Sequence, residues 1–234
     1  MNQESKNNVD ASLGDRIAIM QEATKLYLEE ESRFTVPNLA KRLEVDSADI
    51  YAYYPNKGAI LDGYYPLLVE RYRAMIDEID NFREYDLAEK TSNFIYATLD
   101  MMMEDRAFVE ETFESRVLNT SSDPPFQDEV KSLFKQFFSK DSKIASSSQL
   151  LMQDLFYDFL VQQYFQIISF WLEDSSEDGE KSMAYADKMT SFLQEVMYTS
   201  VLDKGMDLFK FMAQNDKRFT RIPILGTITR KILS

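Results

Sequence analysis

Residues 35–57 read TVPNLAKRLEVDSADIYAYYPNK, and the fold turns on how this stretch is arranged. Thr35 stands where it can cap a short helix, and Pro37 lies in the first turn, where its missing N–H costs little. Leu39, Ala40 and Leu43 share the inward side of that helix, and a tight turn over Leu43–Asp46 follows. Asp46 then reads as the N-cap of another helix, with Asp49 three residues on in a variant of the capping box. Ile50 and Tyr54 supply its apolar contacts, Pro55 ends it, and Asn56 can cap the next helix.

Upstream, Ile19, Met20, Ala23, Leu26 and Tyr27 form one stripe of a 3.6-residue period across Asp15–Glu31. Three helices within about 45 residues, the last two separated by a turn of about four, have the spacing of a helix-turn-helix unit. Residues 1–11 are polar and unpatterned, which predicts a flexible tail. Downstream the pattern stays helical: Lys57–Ile79 interrupted by Pro66, then Leu87–Glu104, Arg106–Leu118, Phe126–Lys140, Gln149–Glu173 and Glu180–Ala213. Breaks fall at 121–125, 139–148 and 173–179, each a polar cluster with turn or breaker chemistry. The fold class expected is all-α.

Composition narrows the function. Of 234 residues, 44% are hydrophobic and 28% charged, the balance of a folded globular chain. With no cysteine and no histidine, disulfides, thiol nucleophiles, Ser-His-Asp arrangements and zinc sites of the usual ligands are excluded. Only carboxylates, Lys, Tyr and Ser remain for chemistry. Asp154 and Asp158 share a helix side at i, i+4, but without a second ligand pair they read as solvated or helix-pairing groups. No Gly-rich phosphate loop occurs, so no catalytic residue, metal or cofactor is expected.

The net charge of −14 argues against non-specific nucleic-acid binding, yet it is uneven. Residues 1–75 carry 9 basic and 12 acidic side chains, residues 76–213 carry 12 and 27, and residues 214–234 carry 5 and 1. No signal segment opens the chain, so a cytoplasmic location is expected. Leu150–Leu172 has 16 apolar residues in 23, but Asp154, Asp158 and several Gln interrupt it, which argues against a membrane span.

The run from Thr35 to Lys57 resembles, without a gap, the DNA-binding signature of the TetR family of bacterial transcriptional regulators, T-V-x-x-I-A-x-x-A-G-V-S-x-x-x-L-Y-x-Y-F-x-S-K. The cluster Ile50-Tyr51-x-Tyr53-Tyr54-x-x-Lys57 is its most telling part, and the likeness covers about 40 residues once the Ile19–Tyr27 stripe is added. Glu44 replaces the frequent turn glycine, Asp46 replaces the usual capping serine, and the glycine that closes the family's first helix is missing. These departures bring negative charge to the face that approaches phosphates.

The resemblance implies an N-terminal three-helix DNA-binding domain, residues 12–57, followed by a helical ligand-binding and dimerisation domain, 58–213, and a basic apolar C-terminal segment, 214–234. It implies that Thr35, Tyr51, Tyr53 and Lys57 touch the DNA backbone while Ser47, Ala48, Asp49 and Ala52 face base edges. Asp49 could accept from a cytosine N4–H₂ and Ala52 could meet a thymine methyl, or Asp46 and Asp49 serve only as caps.

In Gln149–Glu173 apolar residues lie nearly all round the helix, so it is buried on more than one side. One side packs on its own chain. A symmetric four-helix contact with a second copy would use the other, through Leu155, Phe159, Tyr164, Ile168, Trp171, Met189, Leu193 and Val201. The aromatic and methionine-rich middle offers an apolar ligand site from Met102, Phe108, Phe113, Phe134, Phe156, Tyr157 and Phe165, or a plain core. Pro66, helped by Gly63, predicts a kink, either a signalling joint or a fixed bend. The C-terminal segment, with Pro223 and Gly226, either packs back on the acidic middle or meets an anionic membrane or nucleic acid.

The expected function is that of a homodimeric, TetR-like repressor that binds a double-stranded DNA operator and is released by an apolar small-molecule effector. The alternative is a protein of the same fold that binds a lipid or hydrophobic metabolite and does not read DNA. Neither is an enzyme.

Overall fold

The computed structural model describes residues 3–29, 31–120, 125–149 and 152–199, and within them the chain is all-helical, without a strand. The ten α-helices are α1 (Gln3–Glu29), α2 (Val36–Leu43), α3 (Ser47–Tyr51), α4 (Lys57–Asp77), α5 (Leu87–Glu104), α6 (Arg106–Phe113), α7 (Pro125–Ser139), α8 (Ser146–Gln149), α9 (Asp154–Glu173) and α10 (Glu180–Tyr198). α6 runs on into a π-helical segment, Glu114–Leu118.

Several boundaries differ from those expected. α1 starts at Gln3, so the expected tail is helical from there. No proline interrupts these residues, and a polar stretch can extend a helix already nucleated by a packed one. α4 is continuous through Pro66, which removes the hydrogen bond that Asp62 O would accept without ending the helix. Gly63 has a different role: a Cβ there would lie 2.7 Å from Cε1 of Tyr54, so the glycine makes room for a buried ring. The long helix expected from Gln149 divides into the single turn of α8 and then α9. α10 ends at Tyr198, where Thr199 turns extended. Val201 and the basic segment 214–234 lie outside the described residues.

α1, α2 and α3 close around Ile19, Ala23, Leu26, Phe34, Leu39 and Ile50, all buried. α1 also lies along α4 and touches α6, so one helix belongs to head and body alike. Three polar links fix it there. Arg16 of α1 forks onto Glu70 of α4, with Nη1 donating to Oε1 at 2.9 Å. Thr24 Oγ1 and Tyr64 OH both donate to Asp105, at 2.9 and 3.3 Å, between α5 and α6. Tyr27 OH donates to Glu111 of α6 at 3.1 Å.

The body is built on rings. Tyr65, Phe94, Phe113, Phe126, Tyr164 and Phe165 form a connected aromatic core; Phe126 stacks on Phe165 with centroids 5.3 Å apart. Its buried hydroxyls are paired: Tyr164 OH donates to Thr98 Oγ1 at 2.8 Å, and Tyr65 OH lies 2.9 Å from Thr112 Oγ1. Such pairing removes the penalty of burying a hydroxyl. Where α6 meets α9, the Arg106 guanidinium sits 4.7 Å above the Trp171 ring and donates to the carbonyls of Trp171 and Leu172.

Candidate nucleic-acid interface

The outward-facing part of the head is built by caps. Thr35 is extended and its Oγ1 accepts from the Asn38 N–H at 3.3 Å, which starts α2 with Pro37 in the first turn. Asn38 Nδ2 donates back to the Arg33 carbonyl at 2.8 Å. α2 stops at Glu44, whose φ of 56° and ψ of 36° put a non-glycine residue in the left-handed region. The chain then re-enters α3 at Asp46, whose N–H donates to Asp49 Oδ2 at 3.1 Å. Asp49 is therefore a capping residue; its carboxylate also stays exposed and keeps its other oxygen for an outside donor.

α3 buries Ile50 completely and turns Ala48, Asp49, Tyr51 and Ala52 outward, with Tyr51 48% exposed. Ser47 is half-buried at its start. Tyr53, also half-buried, donates its hydroxyl to Asp15 Oδ2 at 2.8 Å, tying the end of α3 to α1; this bond raises the phenol pKa. Tyr54 is buried against Gly63, and burial pushes its phenol up to about 12. Lys57 opens α4, exposed, behind an Asn56 cap that accepts from the Ala59 N–H at 3.0 Å. The eight expected DNA-facing residues thus lie on one stretch, and Ala48, Asp49, Tyr51, Ala52 and Lys57 are its most accessible members.

The face is poor in free cations. Arg42 is bonded to Glu22 at 3.2 Å and to Glu29. Lys41 and Lys57 are exposed and without an ion-pair partner among the described residues.

The expected ligand residues are core. Met102, Phe108, Phe113, Phe134, Tyr157 and Phe165 are buried, and Phe156 packs at their edge against Phe138, centroids 5.4 Å apart. Phe134 lines a crevice of about 100 Å³ between α5, α9 and α10. Phe159, Phe192, Met189 and Leu193 line its mouth.

The expected dimer residues separate into two groups. Tyr164, Ile168 and Trp171 are almost wholly buried in their own chain, which corrects their assignment to an outer contact, because the core side of α9 takes them. Leu155 and Phe159 are 81% and 55% exposed, with Met189 and Leu193 half-buried beside them. Phe170 and Phe192, which the sequence reading missed, are 42% and 66% exposed on the same side of α9 and α10. Their signal was spacing: 155, 159 and 170 keep a helical period. Asp154 and Asp158 are held by Lys135 and Lys131 at 2.6 Å each. Among the described residues no carboxylate cluster is placed to hold a metal, and no helix is long and apolar enough to cross a membrane.

Residues 90–212, more than half of the chain, match the family model described as tetracyclin repressor-like, C-terminal domain. Among solved structures, the chain is similar to the TetR transcriptional regulator from Nitrosomonas europaea. The two are 17% identical and have a TM-score of 0.56, over 76% of this chain and 96% of that one, a likeness of fold. No curated protein sequence matches.

Proposed function

The chain belongs to the TetR family of transcriptional regulators, and from that premise we propose that it is a dimeric repressor whose α3 enters the major groove of an operator. The observation that carries the reading is the outward set Ala48, Asp49, Tyr51 and Ala52 on a helix anchored from beneath by Ile50. Short side chains let the helix approach base edges closely, while Thr35, Tyr51 and Lys57 fix register on phosphates. The division into a head, 12–57, and a ligand-binding and dimerisation body, 58–213, belongs to the same proposal. So does pairing of two copies through Leu155, Phe159, Phe170 and Phe192, which would set two α3 helices one DNA turn apart. An apolar effector would lie in the crevice beside Phe134, beneath the pairing surface formed by Phe159 and Phe192, and loosen the packed rings behind it.

The acidity around Glu44, Asp46 and Asp49 favours a second reading, a binder of hydrophobic metabolites that has left DNA behind. Selection of genomic fragments on the purified chain at several salt concentrations separates the two. With Lys41 and Lys57 free of ion pairs among the described residues of each head, the slope of log affinity against log salt is expected near about −3.6 for a dimer, and Lys57→Ala to reduce its magnitude by about 1.8. Tyr51→Ala is expected to abolish retention with helicity intact. Recovery of no enriched fragment, or retention indifferent to Tyr51→Ala, would overturn the DNA reading.

A further inference from the structure

At the end of α4 far from the head, the α4–α5 connection and the last turn of α7 enclose a cleft of about 550 Å³. Its floor is apolar: Phe82 and Phe137, both buried, pack with centroids 6.0 Å apart, and Ile79 lies beside them. Into this cleft comes Lys90 of α5, which keeps only 8% of its surface exposed. Lysine is rarely so buried without a partner, because an unpaired ammonium loses its hydration with nothing in return. Among the described residues its ammonium has neither an ion pair nor a hydrogen bond. Arg83 and Lys140, also without partners among the described residues, stand exposed at the rim of the same cleft. Three cations gathered over an aromatic floor are conspicuous in a chain whose net charge is −14.

We propose that this cleft binds a monoanionic organic acid, with the carboxylate on Lys90 and the apolar body across Phe82 and Phe137. The volume lies in the range of small-molecule sites, where apolar walls supply contact and a few polar groups fix orientation. The charge of the occupant follows from the rim. Asp77 and Asp80 line the cleft too, so the five charged side chains sum to +1, which suits one negative charge and repels polyanions such as nucleotides. A neutral apolar molecule would displace water from beside Lys90 without supplying a counter-charge. The site stands apart from the crevice at Phe134 and does not depend on the chain reading DNA.

Calorimetric titration of the full chain with decanoate, decanol, decyl phosphate and inorganic phosphate at low salt tests this. Decanoate is expected to bind once per chain, decanol and decyl phosphate at least tenfold more weakly, and inorganic phosphate not measurably. Lys90→Met, which keeps the stem and removes the charge, is expected to weaken decanoate at least tenfold with the circular dichroism unchanged. Arg83→Gln, on the exposed rim, is expected to weaken it about threefold and decides the matter if Lys90→Met fails to fold. Decanol binding within threefold of decanoate, saturable binding of inorganic phosphate, or decanoate affinity indifferent to the folded variants would overturn the proposal.

Discussion

Two glycines in helices make a matched pair. Gly63 in α4 faces Tyr54, and a Cβ built there would lie 2.7 Å from the ring and 3.6 Å from Met20 Cε, whereas Gly14 in α1 has nothing within 4 Å. Replacing either by alanine relieves the helix of glycine's backbone entropy, a gain of about 0.8–1 kcal/mol. At Gly14 nothing opposes that gain, so Gly14→Ala is expected to stabilise by about 1 kcal/mol. At Gly63 the ring is stiff and buried, and overpacking of this kind costs about 1–3 kcal/mol, so Gly63→Ala is expected to range from neutral to about 2 kcal/mol destabilising. The contrast between the variants isolates the clash, and it reports how tightly the head is seated on α4. Urea denaturation of the full chain, followed by far-ultraviolet circular dichroism at one fixed protomer concentration, measures both midpoints. Equal stabilisation by both alanines would show that Tyr54 does not rest on Gly63, and the packing of head on body argued above would fail with it.

Glu44→Gly should stabilise by about 0.5–1 kcal/mol, since a left-handed residue with a side chain costs about 1–2 kcal/mol and glycine returns part of that as entropy; a lower melting temperature would refute the strain. Phe159→Lys should convert a dimer to a monomer in sedimentation. It removes about 1.5–3 kcal/mol of burial in each of two symmetric copies, two or more orders of magnitude in dissociation constant, and an unchanged mass would move the interface elsewhere. Burial holds Tyr54 up to about 12 and pushes Tyr64, Tyr65, Tyr72 and Tyr164 in the same direction. Because these raised values favour the neutral phenol in the folded state, their contribution is intact below the unfolded value of about 10 and is lost as pH rises beyond it. Thermal melts should therefore be insensitive to these groups up to about pH 10 and fall steeply above, and a decline setting in near neutrality would contradict this.

The head was legible because local chemistry fixes it: Thr35, Pro37, Asp46 and Asn56 each act within four residues of their own position, and the structure caps helices at all but Pro37, which sits in a first turn. Leu87–Glu104 was legible for the same reason, with Asp86 and Glu89 forming its capping box. What failed was whatever depended on distant partners. Nothing in QLLMQD at 149–154 signals a break, because the sequence stays apolar where the chain leaves α8. In α9 hydrophobicity runs round the whole helix, so only packing could tell that Trp171 faces inward and Phe170 outward. Of the two readings open for the aromatic and methionine-rich middle, burial of Met102, Phe108, Phe113, Phe134, Tyr157 and Phe165 agrees with the core. Lys90 gave no sign at all, since a lone lysine in a helix of mixed character looks solvated until α7 and Phe82 are set around it.

Trp171 is the sole indole of the chain, fully enclosed and lying beneath a guanidinium carried by a different helix. Its emission is therefore a built-in optical gauge of the seam joining α6 and α9. Any event that slides Arg106 off the ring or admits water there will change intensity and colour without a dye or an added label. The molecule thus carries its own means of reporting whether a disturbance at the crevice, at the cleft or at the head reaches the middle of the body.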